Sequence, residues 1–176
     1  LPAVRLRSDV ERKRLLGIDA HSDATVHGGY SADLTERTYA RLAELAHGVI
    51  DAGYIAIVDA TFLKRTQRQR FRDLAGSAQV PFLILDCEAP ADVLRARIRV
   101  RADEPDNVSD AGLDVLEMQR RDREPLDAGE LAASIRVTPE APLSVDRLRK
   151  HLQRYDSCVI TCGEMPQDLL RQIGAH

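Results

Sequence analysis

The residues best suited to chemistry stand at three places in a chain of 176 residues. Asp9 and Arg12 directly follow a short alternating run, Ala3-Val4-Arg5-Leu6-Arg7. A carboxylate there could accept the proton of an attacking hydroxyl, and Arg12 could clamp an anionic group. The plainer alternative is that Ser8-Asp9 caps a helix and makes an ion pair. Asp59 closes the apolar run Ile55-Ala56-Ile57-Val58, a position from which an acid can hold Mg2+ or its waters. Thr61 brings a hydroxyl to the same region. Here the alternative is a strand-end aspartate capping the next helix. A haloacid-dehalogenase nucleophile would want a second acid two residues on, and Thr61 takes that place. Arg97 and Arg101 lie four residues apart, hence on one face of a helix, just before a polar stretch. Two guanidiniums so placed match a triphosphate in geometry and charge. Without that role they are a solvated Arg-rich face with intrahelical partners such as Asp92.

Several motifs are missing. The phosphate loop G-x-x-x-x-G-K-[S/T] occurs nowhere, and none of the three lysines (Lys13, Lys64, Lys150) follows a glycine or precedes Ser or Thr. G-x-G-x-x-G, H-E-x-x-H and G-x-S-x-G are absent too. The five histidines are scattered, and none stands out as a base. Cys158 and Cys162 with His151 upstream are a poor zinc site, which wants four ligands and a tighter cysteine pair. Small residues of a buried strand are the better reading. Three cysteines in all imply no disulfide framework and a reducing cytoplasm.

The chemistry needs a frame. One domain suits this length, and 44% hydrophobic with 30% charged residues is a soluble globular composition. No apolar run approaches a membrane span. A net charge of −3 and seven aromatics argue against a nucleic-acid-coating surface. Short apolar runs alternate with longer amphipathic ones, the pattern of βα units around a parallel sheet. Strands are expected at Tyr54–Asp59, Pro81–Asp86, Ser134–Thr138 and, more weakly, Ala3–Arg7 and Cys158–Cys162. Ser31 or Asp33 caps a helix, Asp33 with Glu36 reading as a capping box, and Gly53 stops it. Further helices are expected from Arg65 to Ala75, from Pro90 through Ile98, from Leu113 to Arg123, from Val145 to Leu152 and from Gln167 to Ile173. Residues 103–112 read as a mobile polar excursion.

Taken in order, these features resemble a known family. Leu6-Arg7-Ser8-Asp9-x-x-Arg12-Lys13, the helix ending at Gly53, Ile57-Val58-Asp59-Ala60-Thr61-Phe62, Arg68 with Leu74-Ala75, Val80-Pro81-Phe82, Ala89-Pro90 and Arg97-x-x-x-Arg101 are similar to the P-loop kinases related to polynucleotide 5′-kinase and zeta toxin. The likeness extends to the AAA-family ATPase or kinase-like domain often fused behind an aminoglycoside-phosphotransferase-like domain, and it covers about residues 3–150.

The resemblance implies a three-layer α/β fold with a parallel sheet of order 2-3-1-4-5. It implies ATP and Mg2+ as cofactors and phosphoryl transfer to a hydroxyl of a small molecule or a nucleic-acid end, long nucleic acid being a poor partner for an acidic chain. In it Asp9 is the general base, Arg12 binds substrate with Thr61 nearby, Asp59 sits near the metal, and Arg97 and Arg101 are lid arginines. The lid spans about residues 101–123, with Leu113-Asp114-Val115-Leu116 restarting the helix after it. Val137-Thr138-Pro139 ends the last strand near the adenine. The family's first strand, phosphate loop and following helix have no counterpart before Ala3, so the middle of the sheet is expected to be vacant. The chain is then expected to be the C-terminal part of a longer protein, bound to an upstream domain, or else a non-catalytic kinase-like module. A neighbouring copy could complete the sheet.

Overall fold

The computed structural model describes residues 2–19, 22, 24, 31–102, 112–144, 146, 148 and 158–162, the side chains of 101, 102 and 162 excepted. Five strands, β1 (Ala3–Arg7), β2 (Ile55–Asp59), β3 (Phe82–Cys87), β4 (Ser134–Val137) and β5 (Val159–Cys162), form one sheet. All four pairings are parallel, and the spatial order is β1-β2-β5-β3-β4. The helices are α1 (Ser8–Leu16), α2 (Ala32–Asp51), α3 (Arg65–Ser77), α4 (Ala91–Ala102), α5 (Leu113–Asp122) and α6 (Ala128–Ala132). This is the expected α/β sheet flanked by helices.

β2 and β3 are nearly continuous in apolar residues because both faces of the sheet are covered there, whereas the edge strands β1 and β4 carry Arg5, Arg7 and Arg136. Alternate side chains of each strand point to opposite faces, and they divide between two cores. Leu6, Ala56, Val58 and Val159 pack with Leu42 and Ala46 of α2 and with Phe71 and Ala75 of α3. Ile57, Leu83, Leu85, Ile135 and Ile160 pack on the other face with Leu143 and Leu148. Fully burying one such side chain contributes about 2 kcal/mol.

The centre of the sheet departs from expectation. It is not vacant: β5, the last strand in the chain, fills the place the first strand would hold in the order 2-3-1-4-5. Ile160 lies beside Ile57 on one side and Leu83 on the other. β2 and β3 do not pair with each other, so β5 alone joins the two halves of the sheet. A run of five residues, Cys158-Val159-Ile160-Thr161-Cys162, reads as a weak strand by pattern because nothing local says that both its edges will be hydrogen-bonded.

Helix ends follow local rules with two corrections. Ser31, not Asp33, caps α2, its hydroxyl accepting from the Leu34 amide at 3.3 Å, and Glu36 reaches Arg70 of α3 instead of closing a capping box. Ser8-Asp9 does not cap α1, which starts from Arg7 without a side-chain cap. Gly53 stops α2 at φ 81°, where a side chain would be strained. α6 is a short helix absent from the pattern reading, and there the capping box is real: Asp127 accepts from the Glu130 amide and Glu130 from the Asp127 amide. The expected lid segment 103–111 and the expected helix at residues 167–173 lie outside the described residues, as does most of the helix expected at 145–152. Among the described residues no helix is long and apolar enough to cross a membrane.

Candidate functional site

Parallel strands all end at the same edge of their sheet, and that edge is where open α/β sheets hold ligands. A cavity of about 430 Å3 opens there, with Thr61, Asp86, Cys87, Val137, Thr138 and Thr161 at the strand ends forming its floor. Leu94 and Arg97 of α4 and Leu116, Gln119 and Arg120 of α5 close it from one side. Arg123, Leu126, Pro142 and Leu143 complete the wall. The result is a lining that combines apolar residues with guanidiniums.

Thr61 is set by the turn that leaves β2. Phe62 holds the uncommon φ of 47°, a strain that persists because its surroundings over-determine it. Its ring meets Tyr39 and Phe71 edge-on at 5.4 and 5.3 Å, its amide donates to the Tyr39 hydroxyl at 2.9 Å, and its carbonyl accepts from Arg68 at 3.0 Å. Thr61 hydrogen-bonds the same Tyr39 hydroxyl. Burial raises the Tyr39 pKa, against the opposing pull of Thr61, Phe62 and the charges of Arg12 and Arg68. Tyr39 thus links α2, the Thr61 turn and the field of Arg12.

Asp59 is engaged from β1: Arg5 Nε donates to its Oδ2 at 2.9 Å and Arg5 Nη2 makes a second contact to the same oxygen. Burial raises its pKa, Arg5 opposing and the Asp9 charge adding to the rise. Asp9 in turn is forked by Arg7, at 3.1 Å from Nε and 2.5 Å from Nη2, and accepts from the Val10 amide at 2.8 Å. Burial first, then the charges of Asp59 and Asp86, pushes the Cys87 thiol up to about 12, against the pull of Arg97 and Arg123.

Of the sequence candidates, Thr61 and Arg97 line the cavity, whereas Asp9, Arg12 and Asp59 do not. Arg12 is half-buried on α1, within the field of Tyr39. Arg101 lies one turn beyond Arg97 on α4, and its side chain is outside the described residues. Among the described residues no group of three or more His, Cys, Asp or Glu is arranged to hold a metal ion.

Four cavity residues were missed by pattern. Asp86 closes the apolar run Phe82-Leu83-Ile84-Leu85 as Asp59 closes its own, so the same signal is present in the sequence; it is 7% exposed and takes a 2.5 Å bond from Arg123 Nη2. Arg120 and Arg123 are spaced to share a side of α5 and its exit. Thr161 had no signal, because its position depends on where β5 inserts.

Arg68 turns out to be structural. It is 2% exposed, forks Glu130 at 2.6 and 3.1 Å, and donates to the carbonyls of Phe62, Glu124 and Pro125. Glu124 also accepts from the Arg65 amide at 2.7 Å, so the segment from Arg123 to Glu130 is strapped across the N-terminus of α3. That strap carries Leu126 and Arg123 to the cavity wall.

A family model described as an AAA domain matches residues 1–126. No curated protein matches the chain.

Proposed function

The chain belongs to the AAA-domain family, kinase-like and P-loop NTPase-like in fold, and from that premise we propose that its cavity serves ATP-dependent phosphoryl transfer to a hydroxyl of a small molecule or a nucleic-acid end. The observation that carries this reading is the cavity itself, whose lining combines apolar residues, Val137, Pro139, Pro142 and Leu143 among them, with the guanidiniums of Arg97 and Arg120. A nucleoside base suits apolar lining residues, and guanidiniums suit phosphate oxygens. In this proposal Thr61 holds the substrate from the cavity lining and Arg97 with Arg101 neutralises charge on the transferring group, while Asp9, oriented by Arg7, takes the acceptor's proton and Arg12 binds the acceptor where it extends beyond that lining.

The fit is incomplete at one place. P-loop NTPases hold the β- and γ-phosphates and Mg2+ with a glycine-lysine loop, and no such motif occurs in these 176 residues. Asp59, the proposed metal contact, already answers Arg5. The residues described suit a nucleoside and an acceptor but do not supply a magnesium-triphosphate cradle, and no step is derived through that group. The engagement of Asp59 by Arg5 favours a second reading, a non-catalytic kinase-like module that binds nucleotide without turning it over. A cytoplasmic setting and contact with an upstream domain of the same polypeptide remain parts of the proposal.

Two measurements separate the readings. Calorimetry with ADP on the 176-residue chain should give binding that weakens about tenfold in Arg97→Ala, the loss of roughly one charge-assisted contact. Equal affinity in both proteins would remove the nucleotide from the cavity. Transfer of labelled phosphate from ATP to candidate alcohols should fall by about 100-fold or more in Asp9→Asn if Asp9 is the base. Activity within a factor of about two of the unmodified chain would take Asp9 out of that role, and nucleotide binding without transfer would select the non-catalytic module.

A further inference from the structure

Thr161 is 1% exposed, and among the described residues its hydroxyl oxygen has no hydrogen-bond partner, yet it lines the cavity. Buried hydroxyls are nearly always satisfied, and one left open in a cavity floor asks for a ligand atom. It has a companion. Thr161 is in register with Ile84, so Asp86, two residues further along β3, lies on the same face of the neighbouring strand. Asp86 also lines the cavity and is 7% exposed. Arg123 donates to its Oδ1 at 2.5 Å, which does not exhaust a carboxylate that can accept at two oxygens.

We propose that Thr161 and Asp86 form a hydroxyl-binding subsite, taking a neutral polyol group such as the vicinal diol of a sugar. The charge pattern selects this class. A carboxylate repels phosphate and accepts hydrogen bonds from alcohol groups, while the threonine hydroxyl can donate to or accept from a second alcohol. Arg97 and Arg120 also line the cavity and suit phosphate oxygens. A site built to bond a hydroxyl rejects the analogue that lacks it, because its buried polar groups are then left unpaired. The inference rests on the nucleotide-and-acceptor reading of the cavity, and deepens it: the diol is either the ribose of the nucleotide or the acceptor.

The test is calorimetry on the full 176-residue chain with adenosine, 2′,3′-dideoxyadenosine, D-ribose and, separately, ADP. A hydroxyl-bearing ligand should bind about tenfold more tightly than its deoxy analogue to the unmodified chain and to Thr161→Ser, and Thr161→Val should lose that preference. Because the valine removes an unsatisfied buried hydroxyl, its melting temperature should rise by about 3 °C, so lost binding is not lost folding. Asp86→Asn should narrow the same preference. Adenosine obeying this pattern assigns the subsite to the nucleotide's ribose, and D-ribose obeying it while adenosine does not assigns it to the acceptor. ADP binding that is intact in Thr161→Val, with no hydroxyl preference in any protein, overturns the subsite and leaves the nucleotide reading standing. A Thr161-dependent diol preference without ADP binding does the reverse.

Discussion

Arg68 and Glu130 illustrate how far a single pair can be read before its neighbours are known. From the sequence, Arg68 is one of several basic residues in an amphipathic helix. In the fold it is 2% exposed and spans α3, the Thr61 turn and the strap. Burial pushes the Glu130 carboxyl up, but the Arg68 fork and the Asp127 amide outweigh it and leave it below its ordinary value of 4.5. Glu130 therefore adds stability that is fully present above about pH 4.5 and is lost as the pH falls through its lowered value. Glu130→Gln leaves a buried guanidinium without its counter-charge and should cost about 3 kcal/mol in urea denaturation at pH 7. The deficit should shrink below pH 4.5. An unchanged midpoint at pH 7 would show that the strap does not depend on the pair. The two described free thiols behave oppositely to reactive cysteines. Burial pushes both Cys87 and Cys158 up to about 12, so both are neutral at pH 8. Peptide mapping after iodoacetamide at pH 8 should find them unmodified in the folded chain and alkylated in urea.

The strands and helices show which signals are local. β1, β2, β3 and β4 lie within one residue of their expected spans, β2 and β3 because a buried parallel strand is apolar on both faces, and the edge strands β1 and β4 by their partial apolar pattern. Gly53 and Ser31 mark the ends of α2 for equally local reasons, a left-handed φ and a hydroxyl acceptor. α6 escaped because five residues carry no period. β5 was legible as a strand and illegible as the keystone of the sheet. Its importance is testable. Ile160 is 1% exposed between β2 and β3, and Ile160→Asp should unfold the domain or cost about 4 kcal/mol or more, since an isolated buried carboxylate has no partner there. Amides of Val159–Cys162 should exchange only at the global unfolding rate. Fast exchange there, with β2 and β3 protected, would mean that the two halves of the sheet hold together without it.

For the whole molecule, the question is which groups the fold brings to one edge. Asp9, Asp59 and Arg97 are separated by up to 88 positions in the chain, yet the Asp9 charge acts on Asp59, and Asp59 and Arg97 both act on Cys87. The alternation of strands and helices already places them there, since every parallel strand must point the same way. What alternation leaves open is which of them face the cavity. Thr61 and Arg97 do; Asp9 and Asp59 are held by Arg7 and Arg5, partners that belong to the opening strand. The composition, the apolar periodicity and the order of short motifs were enough to specify a layered parallel α/β domain and the family it resembles, because those properties follow from residue-by-residue burial and backbone preference. Tertiary structure alone decided that the final strand occupies the centre of the sheet, that Arg68 is a clamp, and that Thr161 and Asp86 share a face of the cavity floor. Each of these depends on contacts between segments dozens of residues apart, which no local pattern encodes.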